Sequence, residues 1–214
     1  MNLSKTNLSK TAILDAASNI GSGVSRRQFI KYSSGLLAAM SAPAVLAHGH
    51  DSDKGAMMKG MHKSAVGLQL YTLRDIMKVS VPATLKLVAD VGYSEMEFAG
   101  YFDHSAKEIK QLLDDIGLTA PSAHIQLDAF DTSLSQILDD AQTVGHKYLV
   151  VPWLSEAQRG TGIAPYQALA DKLNTIGEAC KKEGITLAYH NHDFEFKVRD
   201  GKTPLDVLIT QTDP

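Results

Sequence analysis

From Val66 onward, short apolar runs alternate with longer stretches in which apolar residues recur every three or four positions. The short runs, residues 66–71, 94–98, 118–124, 148–152 and 185–190, read as strands. Between them the period becomes helical. Ile109, Leu112, Leu113 and Ile116 fall at i, i+3, i+4 and i+7, and Ser105 with Glu108 supplies a capping box ahead of them. Residues 82–91, with Pro82 in the first turn, form another helical segment. So do the stretch bearing Leu134, Ile137, Leu138, Ala141 and Val144, and residues 165–182, with Leu169, Leu173 and Ile176 inward. Thr203-Pro204 opens a last helix. Gly92, Gly117, Gly145 and Gly184 each stand between a helix and the next strand, where a left-handed C-cap favours glycine. This spacing is that of βαβ units, so the expected sheet is parallel with right-handed crossovers.

Five such units suit two α/β architectures. One is a five-stranded doubly wound sheet, which about 150 residues can build. The other is the first five units of an eightfold (β/α)8 barrel of the TIM type, which needs about 250. Two observations favour the barrel. No glycine-rich phosphate loop follows the first strand, and most strands carry polar groups near their C-terminal ends, where barrel active sites sit.

The pattern is different before Val66. Arg26-Arg27, followed by Phe29-Ile30-Lys31, resembles a twin-arginine export signal. The apolar run after it is short and rich in small residues, unlike a membrane span of about 20 apolar residues. Val45-Leu46-Ala47 places small residues where signal peptidase needs them, so residues 1–47 are read as a signal cleaved after Ala47; an uncleaved anchor is the other reading. Residues 48–64 are polar and aperiodic and read as a flexible linker, although His48, His50 and His62 with three methionines would also suit a soft metal. The barrel domain then spans 65–214. These features predict an exported, periplasmic protein with the twin-arginine machinery as a partner.

Composition narrows the partners. Of 214 residues, 44% are apolar, enough for a core. The net charge of -3 comes from well-mixed charges and leaves no basic face, so nucleic acid is not an expected partner. The single cysteine, Cys180, forms no intrachain disulfide and sits in a helical pattern as a small buried side chain. Association with further copies of the chain is left open.

Alternation along the strands separates two faces. One is apolar. The other is small or polar and ends in Gln69, Tyr71, Glu97, His124, His190 and His192. Buried polar groups cost free energy unless paired or hydrated, so their convergence at one end of a sheet predicts a wet pocket. Plainer roles exist: Glu97 as a rim partner of Arg74, and His124 as a core histidine bonded to a backbone carbonyl. The run from Tyr189 to Glu195 puts two histidines and two carboxylates within six residues, which suits acid–base or ligand chemistry. Trp153, after the fourth strand, either stacks on a sugar ring or covers the barrel.

Three segments carry a resemblance: residues 67–74 (GLQLYTLR), 97–101 (EFAGY) and 189–196 (YHNHDFEF). They resemble the sugar phosphate isomerase/epimerase family, the xylose isomerase-like barrels, a superfamily that also holds inosose dehydratases and an apurinic endonuclease. The resemblance implies an eightfold barrel with a divalent metal (Mn, Mg, Zn or Co) at the strand ends and proton transfer next to a carbonyl. A metal bridging two substrate oxygens would stabilise an enediolate while a carboxylate or histidine moves the proton. On this basis Glu195, His190 and His124 are the expected catalytic residues, with Glu195 and His190 also as metal ligands. Gln69, Tyr71, Glu97, Trp153 and His192 are expected to bind substrate. Where relatives often place a glutamate after the fifth strand, this chain has His190-Asn191-His192. Relatives draw further ligands from strands six to eight, so the chain reads as truncated after the fifth unit, with two raw sheet edges.

The implied function is a sugar isomerase or epimerase acting on a free sugar, cyclitol or oxidised glycoside. Elimination or hydrolysis of a 3-keto-glycoside, by the same α-proton chemistry, is the alternative enzyme. A sugar-binding module without catalysis is the non-enzymatic one.

Overall fold

The structure is a computed structural model that describes residues 66–213. The expected export signal, the cleavage after Ala47 and the linker at 48–64 lie outside the described residues.

The strands are β1 (Gly67–Gln69), β2 (Glu95–Phe98), β3 (Thr119–His124), β4 (Tyr148–Val151) and β5 (Thr186–Tyr189). They form one sheet in the order β1-β2-β3-β4-β5, with every neighbouring pair parallel. Right-handed crossovers in a sheet whose spatial order follows chain order all pass over the same face. A doubly wound sheet must instead reverse its order to put helices on both faces. The monotonic order therefore decides for the barrel architecture and against the doubly wound alternative.

The helices are α1 (Arg74–Met77), α2 (Val81–Val91), α3 (Ala106–Ile116), α4 (Ala129–Val144), α5 (Glu156–Arg159), α6 (Ala164–Lys182) and α7 (Pro204–Gln211). Local chemistry sets their ends. Ser105 and Glu108 form the expected capping box on α3, and Gly117 closes it at φ 71°. Thr203 caps α7 through the Asp206 amide. The outer sheet face packs under these helices: Met96, Phe98, Ala123 and Leu149 are buried together with Ile109, Leu113 and Cys180.

Strand register lines up the other face. Gln69 pairs with Glu97, Glu97 with Ser122, Ser122 with Tyr148, and Tyr148 with Thr186. Paired residues on adjacent strands point to the same side, so a polar row crosses the inner face. His124, Val150 and Ala188 form the next row toward the strand ends.

Two expectations change. The first strand stops at Gln69. Leu70–Leu73 is a 3-10 turn that buries Leu70 and Leu73, three positions apart, and leaves Tyr71 exposed. In β3, the four residues from Thr119 to Ser122 stand opposite the three from Glu95 to Glu97 on β2, a bulge at Pro121. Ser122 and His124 therefore follow Glu97 onto the inner face, while Ala120, which simple alternation would put on the same side, is buried before the bulge.

Both sheet edges are unpaired among the described residues. A groove of about 930 Å³ runs along β5 between α6 and α7, lined by Leu173, Gly177, Leu187, Tyr189, Leu208 and Ile209 among others. It follows the bare strand edge and is separate from the cluster at the strand ends.

Candidate active site

Parallel strands deliver their C-terminal side chains to one end of the sheet, and the polar groups meet there. Glu97 leaves β2 on the inner face and takes two hydrogen bonds. Its Oε1 lies 2.8 Å from His124 Nε2, and its Oε2 accepts the Ser122 hydroxyl at 2.7 Å. Gln69 Nε2 lies 3.3 Å from His124 Nδ1. With the Gln69 amide as donor, Nδ1 accepts and the imidazole proton sits on Nε2, facing the Glu97 carboxylate. Burial pushes the His124 pKa below the ordinary histidine value; Glu97 opposes that shift and His190 adds to it. At neutral pH His124 is thus a neutral imidazole with both nitrogens engaged. Arg74 is not the partner of Glu97. Its guanidinium donates to the Tyr71 carbonyl and stacks 4.5 Å from the Tyr71 ring centre, so Tyr71 stands at the rim rather than beside Gln69.

The loop after β5 brings in a row of rings. His190 meets His124 edge-on with centroids 5.6 Å apart. It stacks on His192 at 4.9 Å with an interplanar angle of 7°, and His192 stacks on Phe194 at 5.4 Å and 5°. The Arg159 guanidinium, at the end of α5, lies 4.2 Å from the Phe194 ring centre and 5.6 Å from that of Trp153. Trp153 is 43% exposed, an open aromatic face beside a fixed cation. His190 is exposed and His192 half-buried.

Glu195 is held apart from this surface. It is 0% exposed, accepts the Tyr189 hydroxyl at 2.5 Å on Oε1 and the His192 amide at 2.7 Å on Oε2. Burial, and then the Glu195 carboxylate, push the Tyr189 phenol well above its ordinary pKa. The structure therefore brings together Gln69, Glu97, His124, His190 and His192, leaves Tyr71 and Trp153 at the rim, and puts Glu195 beneath the loop. Ser122 and Arg159 complete the picture. Ser122 was visible only as a neighbour of His124 on its strand, and nothing in the local pattern marks Arg159.

A divalent metal is the group the resemblance implies. Imidazoles and a carboxylate are suitable donors, but they do not converge. Among the described residues no three His, Cys, Asp or Glu side chains are grouped to hold an ion, and both Glu195 oxygens are already used. The described residues thus do not make a metal centre by themselves.

The comparisons agree with this architecture. Two solved structures from Parabacteroides distasonis ATCC 8503, both described as a sugar phosphate isomerase/epimerase, are similar at 25% identity. One aligns with a TM-score of 0.64 over 75% of this chain, the other with 0.59 over 69%, and each alignment covers 65% of the relative. The chain thus spans just under two thirds of the length of these relatives. No curated protein matches significantly. The family model described as xylose isomerase-like TIM barrel matches residues 85–207, more than half of the sequence, and the chain belongs to that family.

Proposed function

We propose that the protein is a sugar isomerase or epimerase that moves a proton next to a carbonyl, and that its substrate is a free sugar, a cyclitol or an oxidised glycoside. The observation that carries this reading is the Glu97–His124 pair at 2.8 Å with His190 edge-on beside it, at the strand ends where such barrels work. The similarity to two sugar phosphate isomerase/epimerase structures supports the same reaction class.

In this mechanism the exposed His190 takes the proton from the carbon next to the carbonyl. The C–H electron pair forms a carbon–carbon double bond and the carbonyl oxygen becomes an enediolate oxygen. Return of the proton to the neighbouring carbon, with the adjacent hydroxyl proton passing to the former carbonyl oxygen, gives the isomer; delivery of a solvent proton to the opposite face of the same carbon, while His190 releases its own proton to solvent, gives the epimer. Neutral His124, held by Glu97 and Gln69, meets the His190 ring edge-on and keeps it in place, and Trp153 offers an apolar surface to a sugar ring. No step runs through a metal, because the described residues do not group to hold one. Export through the twin-arginine route, and hence a periplasmic location, belongs to the same proposal and favours unphosphorylated substrates.

The test is deuterium exchange in D2O, followed by NMR on a panel of aldoses, ketoses, inososes and 3-keto-glycosides, with and without added Mn²⁺. Exchange at the α-carbon with retained substrate mass supports isomerase or epimerase action. Release of an aglycone would replace it with elimination or hydrolysis. Binding with no exchange in any arm would overturn catalysis and leave a sugar-binding module.

A further inference from the structure

Glu195 is the one carboxylate buried among the described residues, and it makes no ion pair there. Burying an unpaired charge is costly unless hydrogen bonds compensate. Both its oxygens are occupied, and the two donors come from different places. Tyr189 is the last residue of β5, and the His192 amide belongs to the loop that follows. The carboxylate therefore closes the seven-residue span from Tyr189, at the strand end, to Glu195, in the 3-10 turn Phe194–Phe196, into a fixed arch. His190 lies inside that arch. Its ring is packed on one side by His192 and met on another by His124. Phe194 backs His192, and Arg159 covers Phe194, so the stack rests on the segment that Glu195 ties down.

We infer that Glu195 is a positioning residue: its buried carboxylate joins Tyr189 to the His192 backbone and so holds the His190 ring against His124. It touches no substrate. A short, charge-assisted pair of bonds suits the task, since such bonds are stronger and more directional than neutral ones. The consequence for turnover rests on the proposed role of His190; the ring geometry itself does not.

The test uses the full chain with isotopically labelled histidine and phenylalanine, and reads ring-to-ring NOEs for His124–His190, His190–His192 and His192–Phe194. The E195A variant is expected to lose the first two, while the conservative E195Q variant, whose amide oxygen still accepts from His192, keeps them. A merely structural glutamate would change the melting temperature in both variants without separating them in this way. Unchanged ring contacts in E195A would overturn the inference, as would their equal loss in E195Q. If E195A does not fold, Y189F decides, because it removes only the hydroxyl. Weakening of the His124–His190 contact supports the arch, and an unaltered contact sinks it. Where the wild type shows α-proton exchange, E195Q should restore most of the kcat lost in the alanine variant, with KM within about twofold throughout. Absence of exchange in the wild type would count against the proposed reaction alone, since the NOEs still decide the role of Glu195.

Discussion

Two histidines, His146 and His124, lie on opposite faces of the same sheet, and burial is the largest cause lowering the pKa of each. Their surroundings differ in kind. His146 is buried next to Phe98 and Tyr101 on the helix side. Its Nδ1 bonds the Ala120 carbonyl at 2.6 Å and its Nε2 meets the Tyr101 hydroxyl at 2.8 Å. No open surface reaches it. His124 stands on the bare face, bonded to a carboxylate that is itself partly exposed, beside another imidazole. A perturbed pKa is thus common to a core histidine and a site histidine. What separates them is the partner: a backbone carbonyl and a phenol make a closed account, whereas a half-open carboxylate and an exposed imidazole leave groups facing solvent.

The same substitution at both positions should break this symmetry most visibly. H124N is expected to cut α-proton exchange by about 10²-fold, near 3 kcal/mol in barrier, because it removes the ring that holds the proposed base His190 in place. Its melting temperature should stay within a few degrees of wild type, because the neighbours of His124 can turn to water. H146N should reverse the pattern. It strands the buried Tyr101 hydroxyl or the Ala120 carbonyl and is expected to cost about 3 kcal/mol, or roughly 10 °C in Tm, with exchange per folded molecule retained. Thermal melts and exchange rates on the two variants check both statements. A Tm loss in H124N as large as that in H146N would make His124 a core residue, the plainer role its sequence position allowed.

The pH dependence is the next effect in size. Both histidines have folded pKa values below the ordinary value near 6.5, so the unfolded chain takes up protons first as the pH drops. Their contribution to stability is therefore present above about 6.5 and is lost as the pH falls from there toward the lowered folded values. Urea midpoints at pH 7.5, 6.5 and 5.5 should decline in that order. In H146N the decline should be shallower, since the more deeply buried of the two groups is gone. A flat or rising midpoint toward acid would contradict the burial argument for both.

How much of this was readable beforehand follows from what each feature depends on. The βα order, the capping box on α3 and the glycine C-caps are local patterns within a few residues, and they appeared where expected. The end of β1 was misread because Leu70, Tyr71 and Leu73 fit both a strand and a 3-10 turn, and only burial of Leu70 with Leu73 decides. That Gln69, Glu97, His124 and His190 converge is legible because parallel strands send their ends to one side. The resemblance puts Glu195 among the expected catalytic residues, but the sequence does not show which way a loop carboxylate turns, and here both oxygens face protein donors. Ser122 needed the strand register, including a bulge. Arg159 needed the tertiary packing that brings α5 against Phe194.

Ser122 gives the smallest prediction and the finest distinction between the two faces. Its hydroxyl donates to Glu97 Oε2 while His124 holds Oε1, so the carboxylate is gripped from both ends. On the other face the Tyr101 hydroxyl bonds His146 Nε2. Removing a donor from a sealed site leaves an unsatisfied group, but Glu97 is partly exposed and water can replace the Ser122 hydroxyl. S122A should therefore cost less than about 1 kcal/mol in stability, whereas Y101F, on the closed face, should cost more. Exchange activity in S122A should fall only a few fold, because the His124 bond still orients the carboxylate. A stability loss in S122A equal to that in Y101F would mean that the inner face is as dry as the outer one, and the pocket at the strand ends would lose its physical basis.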